Sequence, residues 1–211
     1  MKLAIVGSGD LGRLMAYHAT QVGVKVVGFV DDFCKDDKVD GFPILGKVKD
    51  VQMLKDKNIF THVILGIGYK HSLYKKDLFI NLKEKKILFA SIISKGTYID
   101  KSVKIGEGSF ILPGVTLDKD VVVGDNNVIN TGVVIAHDSE VCNHCFLGPR
   151  VTLAGFIKIE DMCFLGIGTI VIDNITLCES TKTGGGAVIT KSTFEKGLYL
   201  GIPAKIKKRI D

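Results

Sequence analysis

No stretch of the 211 residues is apolar for long enough to cross a membrane, and Met1 runs straight into Lys2-Leu3-Ala4-Ile5-Val6 without the apolar region of a secretory signal. The expectation is a cytoplasmic protein with no membrane partner. Cysteines number five, an odd count, and without a signal they argue against a disulfide framework. Compositional disorder is excluded as well, since 46% of the residues are hydrophobic and 24% charged, ordinary values for a globular chain that can bury a core. The net charge of +5 is mild and sits partly in Lys205, Lys207, Lys208 and Arg209. Such a tail suits the phosphates of a nucleotide or coenzyme, or simply solvates the chain end, and is too weak to indicate a nucleic-acid partner.

What is present divides at about residue 95. Before it, strand-like and helix-like stretches alternate: Leu3 to Val6, a helical spacing over Leu11 to Val22, and a β-branched run over Lys25 to Val30. A polar loop is expected over Asp31 to Gly46, then a helix near Lys47 to Lys57, a strand at His62 to Ile67, a basic helix near Ser72 to Lys85 and a strand at Ile87 to Ile93. This βαβ order predicts a parallel sheet with right-handed crossovers, a small Rossmann-like domain over residues 1–94.

From Ile99 the period becomes six. Every sixth residue, Ile99, Ile105, Ile111, Leu117, Val123, Ile129, Ile135, Val141, Leu147, Leu153, Ile159, Leu165, Val171, Leu177, Thr183 and Ile189, is a branched aliphatic with the single exception of Thr183. Four places after each falls a small or β-branched residue, such as Val133, Ser139, Cys145 and Val151. No helix or ordinary strand has that period; it is the signature of a left-handed parallel β-helix, here expected over 95–211 with a short carboxy-terminal cap. Three hexads make one coil, so residues 18 apart stack: Lys119, His137 and Gly155 form one column, and Cys145 lies on Cys163. A zinc reading of Cys142-Asn143-His144-Cys145 fails because the core needs Cys145, and a zinc site of three histidines fails because the repeat holds only His137 and His144.

Two constellations carry chemistry. Gly7-Ser8-Gly9-Asp10-Leu11-Gly12 follows a strand and opens a helix, with Asp31-Asp32 at the end of the next strand. This is the dinucleotide fingerprint, in which glycines let the backbone approach phosphate at a helix amino terminus. The α/β region is too short for two mononucleotide-binding halves, so a single nucleotide moiety is the better ligand than a nicotinamide cofactor. In the repeat, His137-Asp138 is the one His-acid pair, and His137 falls outside both inward series. An outward imidazole can act as a general base oriented by its neighbouring carboxylate, with Gly155 leaving room beside it for a thioester.

The glycine loop joined to hexads, Val134-Ile135-Ala136-His137-Asp138, Leu153-Ala154-Gly155, Gly184-Gly185-Gly186-Ala187 and the ending Gly197-Leu198-Tyr199-Leu200-Gly201-Ile202-Pro203-Ala204-Lys205 together resemble the bacterial nucleotide-sugar acetyltransferases of the hexapeptide-repeat family. These include the N-acetyltransferases of the bacillosamine and perosamine pathways and sialic acid O-acetyltransferases. The resemblance implies a homotrimer with acetyl-CoA between neighbouring β-helices, no metal, and transfer to the 4-amino group of a nucleotide-linked 4-amino-4,6-dideoxy sugar for surface glycan synthesis. It implies His137 as general base with Asp138 as partner, and Gly155, Ile167, Gly185, Pro203, Ala204 and Lys205 along the coenzyme. Gly7, Ser8, Gly9 and Asp10 would meet the phosphates, Asp31 and Asp32 the base, with Gly68 also on the substrate. Two departures stand out. Relatives with a second histidine nine residues after the catalytic one match Phe146 here, and their Gly-Asn-Asn stretch reads Gly66-Ile67-Gly68-Tyr69-Lys70. O-acetylation of a sialic-acid-type sugar is the alternative reaction.

Overall fold

A computed structural model describes residues 1–209, in two compact units, Met1–Lys95 and the chain from Gly96 onward. In the first unit the strands β1 (Lys2–Val6), β2 (Lys25–Val30), β3 (Lys38–Val39), β4 (Phe42–Gly46) and β5 (His62–Leu65) form a sheet of order β3-β4-β2-β1-β5. The helices are α1 (Asp10–Gln21), α2 (Val51–Asp56) and α3 (Ser72–Glu84). β1 pairs in parallel with both β2 and β5, and its residues Leu3 to Val6 are all buried, as expected for a strand covered on both faces. Ala4, Val6, Val63 and Leu65 pack with Leu78 and Leu82 of α3 in one core cluster.

The stretch expected as a polar loop, Asp31 to Gly46, instead contains the antiparallel β3–β4 hairpin, and β4 goes on to join β2 in parallel. The cause is local: Asp40 and Gly41 both take positive φ, 48° and 82°, the turn that an Asp-Gly pair favours between two strands. Arg13 of α1 holds that turn through two bonds to the Asp40 carboxylate, at 2.8 and 3.0 Å. Expected strand Ile87 to Ile93 shrinks to a single bridge between Phe89 and Val63 plus the short Ile92–Ile93 segment.

The second unit is the left-handed β-helix. Sixteen two-residue strands, from Tyr98–Ile99 to Val188–Ile189, each end on an inward residue of the six-residue series. Each pairs with the strand one coil on, as Val134 and Ile135 do with Thr152 and Leu153. From Ile111 to Leu177 the inward column is buried throughout, with only the first-coil residues Ile99 and Ile105 partly open at the end of the stack. Thr183, the polar exception, is satisfied: its hydroxyl accepts the Gly166 N–H at 2.9 Å and lies 2.6 Å from the Thr169 hydroxyl. Beyond the coils, Gly197–Leu200 pairs in parallel with Lys182–Thr183, and Lys205–Arg209 folds back antiparallel upon it.

Turns between the strands need a left-handed residue once per hexad. Asp120, Asn126, Gly132, Asp138, His144, Arg150, Phe156, Met162, Gly168, Asn174, Ser180 and Gly186 all have φ between 56° and 70°. Asp, Asn and Gly accept that conformation readily, and bulkier side chains are strained there.

Candidate active site

His137 stands on the outside of its coil, about half exposed, and its Nδ1 lies 2.9 Å from Asp138 Oδ2. Asp138 can point back at its neighbour because it occupies the left-handed corner position, with φ of 56°. The pair fixes the ring, and when Nδ1 carries the proton, Nε2 is the basic nitrogen. Nε2 makes no hydrogen bond among the described residues. The imidazole lies over Gly155 one coil on, so closely that a Cβ at 155 would come within 2.8 Å of Cε1 and 3.0 Å of Nε2. Glycine is therefore required there by the ring, not by backbone conformation. Lys119, in the same column one coil back, is paired with Asp120 at 3.0 Å and feels the Asp138 charge as well, which together raise its pKa.

Around this pair the hydrogen bonds run in a ladder. The Phe156 N–H donates to the His137 carbonyl at 3.2 Å, while the Ser139 hydroxyl donates to Ala154 O at 3.0 Å and accepts from the Ile157 N–H. The Gly155 N–H has no partner among the described residues. Further along the helix, Ile167 is 61% exposed, and a Cβ on Gly185 would meet its Cγ2 at 3.1 Å, so these two stack as the repeat requires. The Gly186 N–H donates to Ile167 O at 2.8 Å, and Ala204, between Pro203 and Lys205, is tied to Val188 O by its N–H at 2.8 Å. Phe146, where some relatives place a second histidine, stacks flat on Phe164 with centroids 5.1 Å apart.

Two of the thiols in the repeat are shifted away from reactivity. Burial, reinforced by the Glu140 carboxylate, pushes Cys142 up to about 11, and burial together with Cys163 raises Cys145 as well. All five cysteines are free, and the raised pKa of Cys142 and Cys145 makes these two poor nucleophiles. Among the described residues no group of three or more His, Cys, Asp or Glu side chains is placed to hold a metal ion.

In the α/β unit the glycine loop is locked by close backbone contact. A Cβ on Gly12 would lie 1.9 Å from the Gly7 carbonyl oxygen, and one on Gly66 would lie 2.5 Å from Gly12 Cα. Gly9 caps α1, its carbonyl accepting the Arg13 N–H at 2.9 Å, and Asp10 is the acidic residue of the first turn. Ser8 and Asp31 meet directly: Asp31 Oδ2 accepts from the Ser8 N–H at 2.7 Å and the Ser8 hydroxyl at 2.8 Å, and Oδ1 accepts from the N–H groups of Phe33 and Cys34. Partial burial pushes the Asp31 carboxyl up, but the four hydrogen bonds outweigh it and leave it below the ordinary carboxylate value. Asp32 is less committed, with Oδ1 on the Val48 N–H at 2.9 Å. Burial, with the Asp32 charge adding to it, raises the Tyr74 hydroxyl. Gly68 opens the turn at Tyr69–His71 with clear space around its Cα. A helix pattern carries no signal for the influence of Asp32 on Tyr74, which joins residues 42 apart in the sequence.

Residues 2–75 match the PglD N-terminal domain, and residues 120–155 match the bacterial transferase hexapeptide of six repeats. The crystal structure of PerB from Caulobacter crescentus, in complex with CoA and GDP-perosamine, superposes with a TM-score of 0.91 at 29% identity, covering 98% of this chain and 97% of that one. A PglD-type N-terminal domain and bacterial transferase hexapeptide repeats thus follow one another in this chain. Two further solved structures share the fold at lower identity. The acetyltransferase domain of PglB from Neisseria gonorrhoeae, in complex with acetyl coenzyme A, gives a TM-score of 0.89 at 23% identity over 98% of both chains. WeeI from Acinetobacter baumannii gives 0.85 at 23% identity, covering 98% of this chain and 100% of WeeI. No curated protein sequence gives a significant match.

Proposed function

We propose that the protein is an acetyl-CoA-dependent N-acetyltransferase acting on the 4-amino group of a nucleotide-linked 4-amino-4,6-dideoxy sugar. The observation that carries the reading is the His137 imidazole, held by Asp138 through Nδ1 and laid over Gly155 with Nε2 uncommitted. The likeness to a perosamine N-acetyltransferase across nearly the whole chain supports the acceptor class. In the reaction the sugar amine attacks the thioester carbonyl, forming the C–N bond. Nε2 of His137 takes the amine proton, Asp138 steadies the resulting imidazolium, and the Gly155 N–H serves the oxyanion. Collapse breaks the C–S bond, and the proton on His137 passes to the departing thiolate. No acyl-enzyme is needed, because one cleft holding both substrates lets the amine attack the thioester directly.

By the same reading Ile167, Gly185 and the Pro203-Ala204-Lys205 segment line the coenzyme, and the protein works as a homotrimer with that groove between neighbouring β-helices. The glycine loop at Gly7 to Asp10, together with Asp32 and Gly68, receives the nucleotide. Asp31 braces Ser8 and so shapes the loop from behind. The reaction belongs to the cytoplasm, where both co-substrates are made. A thiol-release assay with acetyl-CoA and GDP-, UDP- and dTDP-linked 4-amino sugars tests the activity. His137→Ala is expected to lose roughly 100- to 10,000-fold in turnover with an unchanged melting temperature, since the ring is half exposed. Near-normal turnover in that variant would sink the assignment.

A further inference from the structure

Phe156 is anomalous in its column. The left-handed corner that stacks above and below it reads Asp120, Asp138, Phe156 and Asn174, all with φ between 56° and 59°. Aspartate and asparagine tolerate this conformation, whereas a bulky aromatic residue is disfavoured by about 1–2 kcal/mol. Burial does not compensate, because the side chain is 55% exposed. Its ring instead meets the His137 ring edge to face, with centroids 5.3 Å apart and an interplanar angle of 88°. A strained, half-solvated apolar surface is thus held against the outward imidazole of His137, and such strain concentrates where a ligand makes use of it.

We propose that Phe156 is a specificity-determining residue, its exposed ring forming the platform for the C6 methyl group of the acceptor sugar. This rests on the N-acetyltransferase reading. With the amine at His137 Nε2, C4 is one bond away and the methyl carbon lies only two bonds beyond it, on the adjoining ring carbon. The aromatic ring beside the imidazole is the apolar surface within reach of that methyl. A hydroxymethyl group in its place would press its hydroxyl against a face that offers no hydrogen bond. The site therefore selects 6-deoxy sugars over their 6-hydroxy counterparts.

The test compares kcat/KM for GDP-perosamine and GDP-4-amino-4-deoxymannose, with UDP- and dTDP-linked pairs in parallel, in the wild type, Phe156→Asn and Phe156→Tyr. The wild type is expected to favour the 6-deoxy sugar by roughly 10- to 100-fold. Phe156→Asn, whose side chain suits the left-handed corner and so keeps the fold, is expected to reduce that preference to about threefold or less, chiefly by raising KM for the 6-deoxy sugar. Phe156→Tyr keeps the ring and should keep the preference. Equal use of both sugars by the wild type, or an unaltered ratio in Phe156→Asn, overturns the platform while leaving the acetyltransferase reading intact. Absence of turnover with every acceptor in the wild type overturns both.

Discussion

Along the β-helix the residues that hold the coil and those open to chemistry point in opposite directions. Leu147 and Leu153 are wholly buried, while the His137 side chain in the same coil stack faces outward and is held by Asp138. In the α/β unit the two tasks fall on the same atoms. Ser8 and Asp31 both shape the glycine loop and occupy it, and Gly7, Gly12 and Gly66 meet backbone to backbone at the proposed nucleotide site. A site on the β-helix can therefore be altered without harm to the fold, whereas a change in the glycine loop damages binding and folding together.

The sharpest break of that contrast is Gly12→Ala. With a Cβ placed 1.9 Å from the Gly7 carbonyl oxygen, the loop and α1 must separate. A loss of about 3–4 kcal/mol is expected in denaturant melts, together with loss of nucleotide-sugar binding by calorimetry. His137→Ala should by comparison leave stability alone. An unchanged midpoint in Gly12→Ala would show that the α/β loop is as separable from its scaffold as the β-helix site.

Next in size is Lys75 on α3, which is buried and has its pKa pushed down to about 7 by that burial. The folded state thus binds its proton less tightly than the unfolded chain, whose lysine titrates near 10.5. Stability rises with pH between about 7 and 10.5, where the unfolded chain holds a proton that the folded state has released, and below about 7 the full penalty is present. Lys75→Met is expected to raise stability by on the order of 2 kcal/mol at pH 7, with the gain shrinking as pH approaches 10.5. Paired melts of the wild type and variant across that range check it. A gain that does not depend on pH would assign the effect to packing alone.

The smallest effect tests the β-helix corners. Arg150 is the one non-glycine at its corner, where Gly114, Gly132, Gly168 and Gly186 stack above and below, and it holds φ of 58°. Arg150→Gly is expected to stabilise by about 1 kcal/mol, read as a higher melting temperature. A lower one would mean that the arginine side chain makes a contact worth more than its backbone strain.

The β-helix was legible almost to the residue because one coil repeats its neighbour. A register read from Ile99 onward also says which side chains stack, and so predicted His137 over Gly155 and Ile167 over Gly185 before any coordinates. The α/β unit was legible in its element order but less so in detail. The β3–β4 hairpin was hidden in a stretch read as loop, although Asp40-Gly41 was a usable signal. The exchange between Ser8 and Asp31 was not readable, because it joins residues 23 apart with no periodicity to place them.

By itself the sequence determined the solenoid, its phase and the outward position of His137, since a repeat of six carries its own geometry. Tertiary structure alone decided what each polar group is committed to. Asp31 turned out to be consumed by four hydrogen bonds, and Phe156 was found strained and exposed against the catalytic candidate. Periodicity reports which way a side chain faces, but only three-dimensional contact reports what it meets there.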